Sequence, residues 1–211
     1  MPNWCDNSVT VTGTQEKIDS IKKVVTHFYT ECYNEKTDSR DGKGFLAYCL
    51  PEPDYTKVGV KSTFPKMGEA NEATIRKDSW WDWRVQNWGT KWEVEAQNTS
   101  AEDNTLSVTL CFSSAWSPPL GAYSALLAQE GITSISALYY EPSMDFAGRY
   151  KDGEVEHIQI NLISRSDFES DDIARELEDA FEIYRDIMQC NPLQLHPEYE
   201  AALKGLGMDD C

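Results

Sequence analysis

The order in which two kinds of hydrophobic periodicity follow one another constrains this chain more than any other feature of its sequence. Residues 7–12 alternate apolar and polar side chains, which is typical of a strand with one buried face. Apolar residues then recur every three or four positions from Ile18 to Cys32, which predicts an amphipathic helix. Together with similar patterns later in the chain, these two predict strands at 7–12, 90–97, 106–112 and 132–140 and helices at 18–32 and 117–130. The predicted order is therefore β-α-β-β-α-β.

This succession is typical of the ferredoxin-like arrangement, in which two helices pack on one face of a four-stranded antiparallel sheet. We therefore predict an α+β fold with a Trp-rich helical insertion at 34–89, which holds a short strand at 46–50 and a helix ended by Gly89. After the fourth strand, Asp152-Gly153 predicts the turn of an added hairpin. The predicted domains are 1–162, ferredoxin-like with this insertion and hairpin, and 163–211, an acidic helix and tail.

Acidic residues are concentrated near the end of the chain. The sequence has 36 acidic and 19 basic residues and a net charge of −17, which disfavours general nucleic-acid binding because phosphates are repelled. Residues 141–211 hold 18 of these acids and 6 bases. A last helix that begins near Ser166 or Ser170 has an apolar stripe and an acidic remainder. Its candidate partner-binding residues are Asp171, Asp172, Glu176, Glu178, Asp179, Glu182 and Asp186.

Two interpretations of this acidic helix stay open. A charged side opposite an apolar stripe is typical of any helix on a solvated surface. However, like charges four residues apart, such as Asp172 and Glu176, destabilise a helix. A surface that tolerates this repulsion can serve to bind a basic partner, which it would attract electrostatically.

Five tryptophans lie between residues 80 and 92 and form the densest aromatic cluster of the sequence. Indole rings bury large apolar areas, and we predict a core role for Trp88, Trp92 and Trp116. Adjacent side chains cannot both point inward from one helix, so at least one of Trp80 and Trp81 is predicted to be an exposed partner anchor. Few basic residues surround the cluster, which disfavours binding of single-stranded nucleic acid through these rings.

Sequence motifs for catalysis or cofactor binding are absent. The six cysteines form no CxxC pair, and the three histidines lack metal-binding spacing. Phosphate-binding glycine loops and nucleophile motifs do not occur. We therefore predict free thiols, no cofactor, no metal and no catalytic residue. The chain has no run of 18 apolar residues and no signal-peptide pattern, which predicts a cytoplasmic protein without a membrane partner.

Four motifs together resemble one protein family. They are MPNWCDN at 1–7, NWGTKW at 87–92, CFSSAWSPP at 111–119, and Tyr139-Tyr140-Glu141 followed by Phe146-Ala147-Gly148. Over about residues 1–151, the chain resembles the YubB-type ferredoxin-like proteins of phages and conjugative plasmids. The resemblance implies the ferredoxin-like fold and an origin on a mobile genetic element, and it transfers no catalytic residue or cofactor to this chain.

The charge distribution and the resemblance together predict a non-catalytic interaction protein of a phage or plasmid. Its acidic C-terminal surface would occupy a basic site on a host protein, such as a nucleic-acid-handling defence enzyme, and inhibit it by competition. One alternative is a nucleic-acid-binding module that uses Tyr139 or Tyr140 on an exposed sheet face. Another is an enzyme of unknown reaction with a pocket around Trp88 to Trp92.

Overall fold

A computed structural model of the 211-residue chain describes residues 3–31, 44–54, 80–100, 106–162 and 170–184. Within these residues, six strands and five α-helices occur in sequence. The strands are β1 (Trp4–Gly13), β2 (Gln97–Asn98), β3 (Ser107–Ala115), β4 (Ile132–Glu141), β5 (Phe146–Lys151) and β6 (Glu154–Gln159). The helices are α1 (Gln15–Glu31), α2 (Phe45–Cys49), α3 (Trp80–Asn87), α4 (Leu120–Leu127) and α5 (Asp172–Phe181).

The six strands form one antiparallel sheet in the order β2-β3-β1-β4-β5-β6. The central strand β1 pairs with β3 on one side and with β4 on the other. Because helices intervene between β1 and β2 and between β3 and β4, the first four strands have the order of a split βαβ unit. The predicted α+β, ferredoxin-like fold class is confirmed. The predicted β5–β6 hairpin, which turns at Asp152 and Gly153, extends this sheet beyond β4.

The main core lies on the face of the sheet that α1 and α4 cover. Val9 and Val11 of β1 point to this face because side chains alternate along a strand, and both are fully buried. Ile18 and Ile21 of α1 and Leu126 of α4 pack in the same cluster. Each such side chain contributes about 1.5–3 kcal/mol when it is fully removed from water. The helical spacing in the sequence therefore identified the correct buried side of α1.

A second, smaller core lies on the opposite face of the sheet. Tyr140 of β4 and Ala147 of β5 are buried there, together with Ile160. Ala174 and Leu177 of α5 complete this cluster. Helix α5 therefore packs on the β4–β5 part of the face that α1 and α4 leave open. The predicted domain boundary between 162 and 163 stays a prediction.

The second strand is much shorter than the sequence predicted. The alternation at 90–97 predicted a full strand, but only Gln97 and Asn98 pair with β3. The alternation also placed Glu93 on the solvent side, yet this residue is 7% exposed. Its carboxylate accepts hydrogen bonds from the backbone N–H groups of Leu46 at 2.8 Å and Ala47 at 2.9 Å. These bonds hold the segment before β2 against the insertion.

The same carboxylate explains why Phe45–Cys49 forms helix α2, so the predicted strand at 46–50 is wrong. A short apolar run does not distinguish a helix from a strand by periodicity. The first N–H groups of a helix have no partner within it, and Glu93 supplies their acceptors. Burial raises the pKa of the Glu93 carboxyl, against the opposite effect of these hydrogen bonds and of Arg84.

Helix α5 begins and ends at positions that the sequence did not predict. The predicted caps were Ser166, which lies outside the described residues, and Ser170. The structure instead has Asp171 as the N-cap, and its side chain accepts two backbone N–H groups of the first turn, both at 2.9 Å. Glu182 adopts a left-handed backbone with a φ of 53°, which ends α5 at Phe181. The predicted helix continued to Gln189, which the structure does not describe.

The cysteines that the structure describes are free thiols, as predicted. Cys5 and Cys49 are buried, and Cys111 is half-buried. Burial raises the pKa of the Cys5 thiol to about 12 and that of Cys49 well above its ordinary value. Both thiols are therefore protonated and unreactive at neutral pH. The other three, Cys32, Cys190 and Cys211, lie outside the described residues.

Candidate functional site

Acidic side chains of α5 and of the β5–β6 hairpin share one side of the molecule, which we call the acidic side. Asp172, Glu176 and Asp179 are spaced four and three residues apart, so they follow one line along the helix, and all three are exposed. Leu177 is fully buried on the opposite side of the helix. Glu156 belongs to the same surface because Arg149 binds both its carboxylate and that of Glu176.

The acidic side carries much of the negative charge of the described chain. Residues 145–162 and 170–184 hold ten acidic and three basic residues. The remaining described residues hold eleven acidic and five basic ones, although they form most of the described chain. Within the described residues, the asymmetry seen along the sequence is therefore centred on α5 and the β5–β6 hairpin.

Arginines pair with some of these carboxylates. Arg149 donates to Glu156 at 2.6 Å and to both carboxylate oxygens of Glu176 at 3.1 Å. These hydrogen bonds, that to Glu156 first, raise the pKa of the Arg149 guanidinium. Arg175 donates to Asp172 at 2.5 Å, between two largely exposed side chains. The acidic side keeps a net negative charge after these pairs are counted, since its acids outnumber its bases.

The other predicted partner-binding carboxylates divide into structural and exposed ones. Asp171 caps α5, and Glu178 accepts the backbone N–H of Tyr184 at 2.7 Å, so both stabilise the end of a helix. Asp179 and Glu182 are exposed. The last predicted residue, Asp186, lies outside the described residues.

Trp88 is a core residue, fully buried, and its indole N–H donates to the carbonyl of Leu50 at 2.8 Å. The guanidinium of Arg84 lies 4.9 Å from the ring centroids of both Trp80 and Trp88. The same guanidinium forms a largely buried ion pair with Glu52. This arrangement combines cation–π contacts with a salt bridge inside the insertion.

The exposure of the other tryptophans differs from the prediction. At least one of Trp80 and Trp81 was predicted to be an exposed anchor, but both are half-buried. Trp116 was predicted to be core, but it is 37% exposed. Its backbone φ of 71° is left-handed, which directs the chain away from the regular course of β3. Trp92, also predicted to be core, is half-buried.

A cluster around Lys91 was not predicted from the sequence. The Lys91 ammonium lies 3.8 Å from the ring centroid of Trp92 and 4.1 Å from that of Trp116. Trp4, which is 49% exposed, contacts Trp92 with ring centroids 5.9 Å apart, and Trp81 contacts Trp116 edge-on at 6.5 Å. Strand alternation could have indicated the exposure of Trp4, because it lies on the opposite face of β1 from Val9 and Val11. Nothing local indicated the contacts of Lys91.

A groove of about 620 Å³ lies between the start of α4 and the β5–β6 hairpin. Pro118 and Leu120 line one wall, and Phe146 and Ile158 line the other. His157 contributes the imidazole among the lining residues. The groove is therefore mainly apolar, with one imidazole among its lining side chains.

One predicted alternative was an enzyme with a pocket around Trp88 to Trp92. The groove that contains His157 does not match this alternative. Of that segment, Gly89 lines the groove and the tryptophan rings do not. The His157 Nδ1 lies 2.9 Å from the hydroxyl of Tyr139. Burial raises the pKa of this hydroxyl, so it is protonated at neutral pH and unsuited to act as a base. The described residues form no nucleophile–base pair at this groove.

Burial excludes the two residues that were named for nucleic-acid binding through sheet aromatics, Tyr139 and Tyr140. Tyr139 is fully buried on the face that carries the main core, and Tyr140 is 5% exposed beneath α5. The part of the open face that β1 and β3 form carries small polar side chains, such as Thr10 and Thr109, whose hydroxyls lie 3.0 Å apart. The two tyrosines therefore cannot stack on bases in this structure.

Within the described residues, no three His, Cys, Asp or Glu side chains are grouped closely enough to hold a metal ion. None of the helices in the described part of the chain is long and apolar enough to cross a membrane.

Comparisons with known proteins give few matches to this chain. No protein-family model matches it, and no curated protein matches it. Among solved structures, it is similar to the crystal structure of a protein api92 from Yersinia pseudotuberculosis, of family DUF1281. The two chains are 13% identical, the match covers 75% of this chain and 98% of the other, and the TM-score is 0.38.

Proposed function

We propose that this protein is a non-catalytic interaction protein of a phage or plasmid, which inhibits a host protein by occupying a basic site with its acidic side. The observation that carries the proposal is the concentration of ten acidic against three basic residues in 145–162 and 170–184. A basic site that binds nucleic acid presents Lys and Arg to successive phosphates. A row of carboxylates offers the same site negative charges without a nucleic acid.

The packing of α5 supports this proposal. Ala174 and Leu177 are buried against the sheet, so the exposed carboxylates of the helix point away from the molecule. Arg149 holds Glu156 and Glu176 in place, and preorganised groups lose less conformational entropy when a partner binds. The partner would then meet a largely fixed pattern of charge.

The resemblance to YubB-type proteins supports the setting of the proposal. A protein encoded on a mobile element would act in the cytoplasm of its host, where nucleic-acid-handling defence enzymes are targets of suitable charge. Its own binding to nucleic acid is disfavoured by the net charge of −17 and by the burial of Tyr139 and Tyr140.

Affinity capture from host lysate tests the proposal with two matched variants. The first neutralises the acidic side with Asp172→Asn, Asp179→Asn and Glu182→Gln. The control removes the same number of charges elsewhere, with Glu16→Gln, Asp19→Asn and Glu130→Gln, all of them exposed. We expect a host protein that the wild type and the control capture and that the first variant loses. Equal capture by all three proteins would contradict the role of the acidic side.

The salt dependence and competition of the purified pair test the mechanism. Affinity should fall steeply between low salt and about 0.5 M, because exposed charges are screened over a few ångströms at that ionic strength. A short DNA duplex should compete with this protein for the captured partner. An affinity that is unchanged by salt, or a ternary complex with DNA, would contradict occupation of a nucleic-acid site.

A further inference from the structure

The Lys91 cluster has the geometry of a binding site for a cation. Its ammonium lies 3.8 Å from the centroid of one indole ring and 4.1 Å from that of another, well within the range of a cation–π contact. The two rings belong to Trp92 and Trp116, which are far apart along the chain. Trp4 and Trp81 extend the aromatic surface on either side. We call these four tryptophans and Lys91 the indole cage.

Cation–π contacts are the interactions of the Lys91 ammonium with the described residues. A primary ammonium has three N–H donors, and the structure records no hydrogen bond or ion pair from them to any described residue. Its contacts in the described part of the chain are the two aromatic faces. Partial desolvation accordingly lowers the pKa of Lys91 below its ordinary value. Among the described residues, the site thus holds its present occupant by cation–π attraction.

A quaternary ammonium fits the same surroundings better. It has no N–H group that needs a hydrogen-bond partner when water is displaced, and its methyl groups make apolar contacts with indole rings. Its charge is also independent of pH. Two of the cage rings, Trp4 and Trp116, are substantially exposed, so a ligand from solution can reach them. The net charge of −17 favours the approach of any cation.

We propose that Trp92 and Trp116, with Trp4 and Trp81 at the sides, form a binding site for a trimethylammonium group, which enters when the Lys91 side chain leaves. Lys91 acts as an internal competitor that closes the site. The proposal is independent of the acidic side, since the cage lies on residues of β1, of α3 and the loop after it, and on the residue that follows β3. The acidic side can therefore fail its test while the cage passes, and the reverse.

A titration with choline tests the site, followed by the indole N–H signals in NMR spectra. Its neutral isostere, in which a tert-butyl group replaces the trimethylammonium group, is the matched control ligand. We expect choline to shift the signals of Trp92 and Trp116 and the isostere to have no effect at the same concentration. Equal responses to the two compounds would overturn the proposal, because they would indicate apolar contact without a role for charge.

Two lysine variants test the role of Lys91 as a competitor. Lys91→Ala removes the internal cation and should tighten choline binding by about tenfold, because one competing cation is lost. Lys151→Ala, at an exposed position on β5, removes the same charge without touching the cage and should leave the affinity unchanged. Affinity that is equal in Lys91→Ala and Lys151→Ala would overturn the proposed competition.

Substitutions of Trp116, which is not buried, test whether the aromatic faces of the cage bind the ligand. Trp116→Ala should abolish choline binding in the Lys91→Ala background, and Trp116→Phe should restore part of it, because a smaller aromatic face remains. Thermal unfolding of each variant establishes that it is folded. A folded Trp116→Ala variant that binds choline as before would overturn the proposal.

Two ligands distinguish a small solute from a modified protein side chain as the source of the trimethylammonium group. Free choline represents a small solute, and a blocked trimethyl-lysine represents a modified side chain of a protein. Tighter binding of choline assigns the cage to the solute, and tighter binding of trimethyl-lysine assigns it to the side chain. Failure of both ligands to bind Lys91→Ala would overturn the proposal.

Discussion

The two faces of the sheet differ in how they accommodate ionised side chains. On the face that α1 and α4 cover, the adjoining insertion buries Glu93 and Arg84, and each of them is held by groups far away in the sequence. On the opposite face, α5 buries an apolar stripe and leaves Asp172 and Asp179 exposed. A carboxylate therefore determines local folding in the first region and contributes surface potential in the second.

This difference follows from the cost of removing a charge from water. A buried charge is tolerated only where hydrogen bonds and opposite charges surround it, so the positions of its partners are fixed. An exposed carboxylate has little effect on folding, and many can accumulate on one side. The first region should therefore be sensitive to single substitutions of polar residues, and the second should be sensitive on its buried side and at the N-cap of α5.

Trp88→Ala should have the largest effect on stability. The ring is fully buried between the insertion and the core, and removing it leaves a cavity and an unpaired carbonyl at Leu50. We expect the free energy of unfolding in urea to fall by about 3–5 kcal/mol. Val85→Ala, at a position 37% exposed on the preceding helix α3, should change it by less than about 0.5 kcal/mol. A small effect of Trp88→Ala would show that the insertion does not contribute to the core.

Leu177→Ala tests whether α5 belongs to the folded unit. The side chain is fully buried against β4 and β5, and its truncation should lower the free energy of unfolding by about 2–5 kcal/mol. Asp179→Ala, on the exposed side of the same helix, is the matched control and should change stability by less than about 0.5 kcal/mol. If the two variants were equally stable, α5 would not be a packed layer.

Glu93→Gln tests the buried charge of the first region. An amide has a single oxygen acceptor, so it cannot accept both backbone N–H groups as the carboxylate does, and about 1–3 kcal/mol should be lost at neutral pH. The pH dependence of the free energy of unfolding should also differ between the wild type and Glu93→Gln. Because the pKa of Glu93 is raised in the folded state, this group adds stability to the wild type as the pH falls through that pKa. Urea unfolding at several pH values should show this gain only in the wild type.

Asp171→Ala should have the smallest effect of the four and compares two carboxylates of the acidic side. Asp171 accepts two N–H groups at the start of α5, and its loss should cost about 1 kcal/mol. Its neighbour Asp172 makes an exposed ion pair with Arg175, so Asp172→Ala should cost about 0.5 kcal/mol or less. Equal costs in thermal unfolding would contradict the assignment of the cap to Asp171.

Long-range periodicity made most of the fold predictable. The alternation in β1, β3 and β4 and the stripe of α1 repeat over several turns or residue pairs, so single exceptions do not hide them. Turn residues added the hairpin at Asp152 and Gly153 and the helix end at Gly89, where a positive φ favours glycine or a small polar residue. These signals arise from residues close together in the sequence.

The candidate sites were less predictable because their contacts join distant segments. The alternation at 90–97 was misleading, since Glu93 binds the N–H groups of residues more than forty positions earlier. Trp116 was expected in the core on hydrophobicity, yet its left-handed backbone places it beside Lys91 at the surface. The hydrophobicity of a side chain indicates how much its exposure to water costs. It does not indicate in which direction the side chain points after a strand has ended.

The amino-acid sequence by itself determined the α+β class, the order of the main strands and helices, and the concentration of acids after residue 141. The tertiary structure decided which charges are buried, which tryptophans are exposed and where α5 packs. The physical reason is that periodicity and turn preference are properties of neighbouring residues. Hydrogen bonds to Glu93, the ion pairs of Arg149 and the indole cage exist only when packing brings distant residues together.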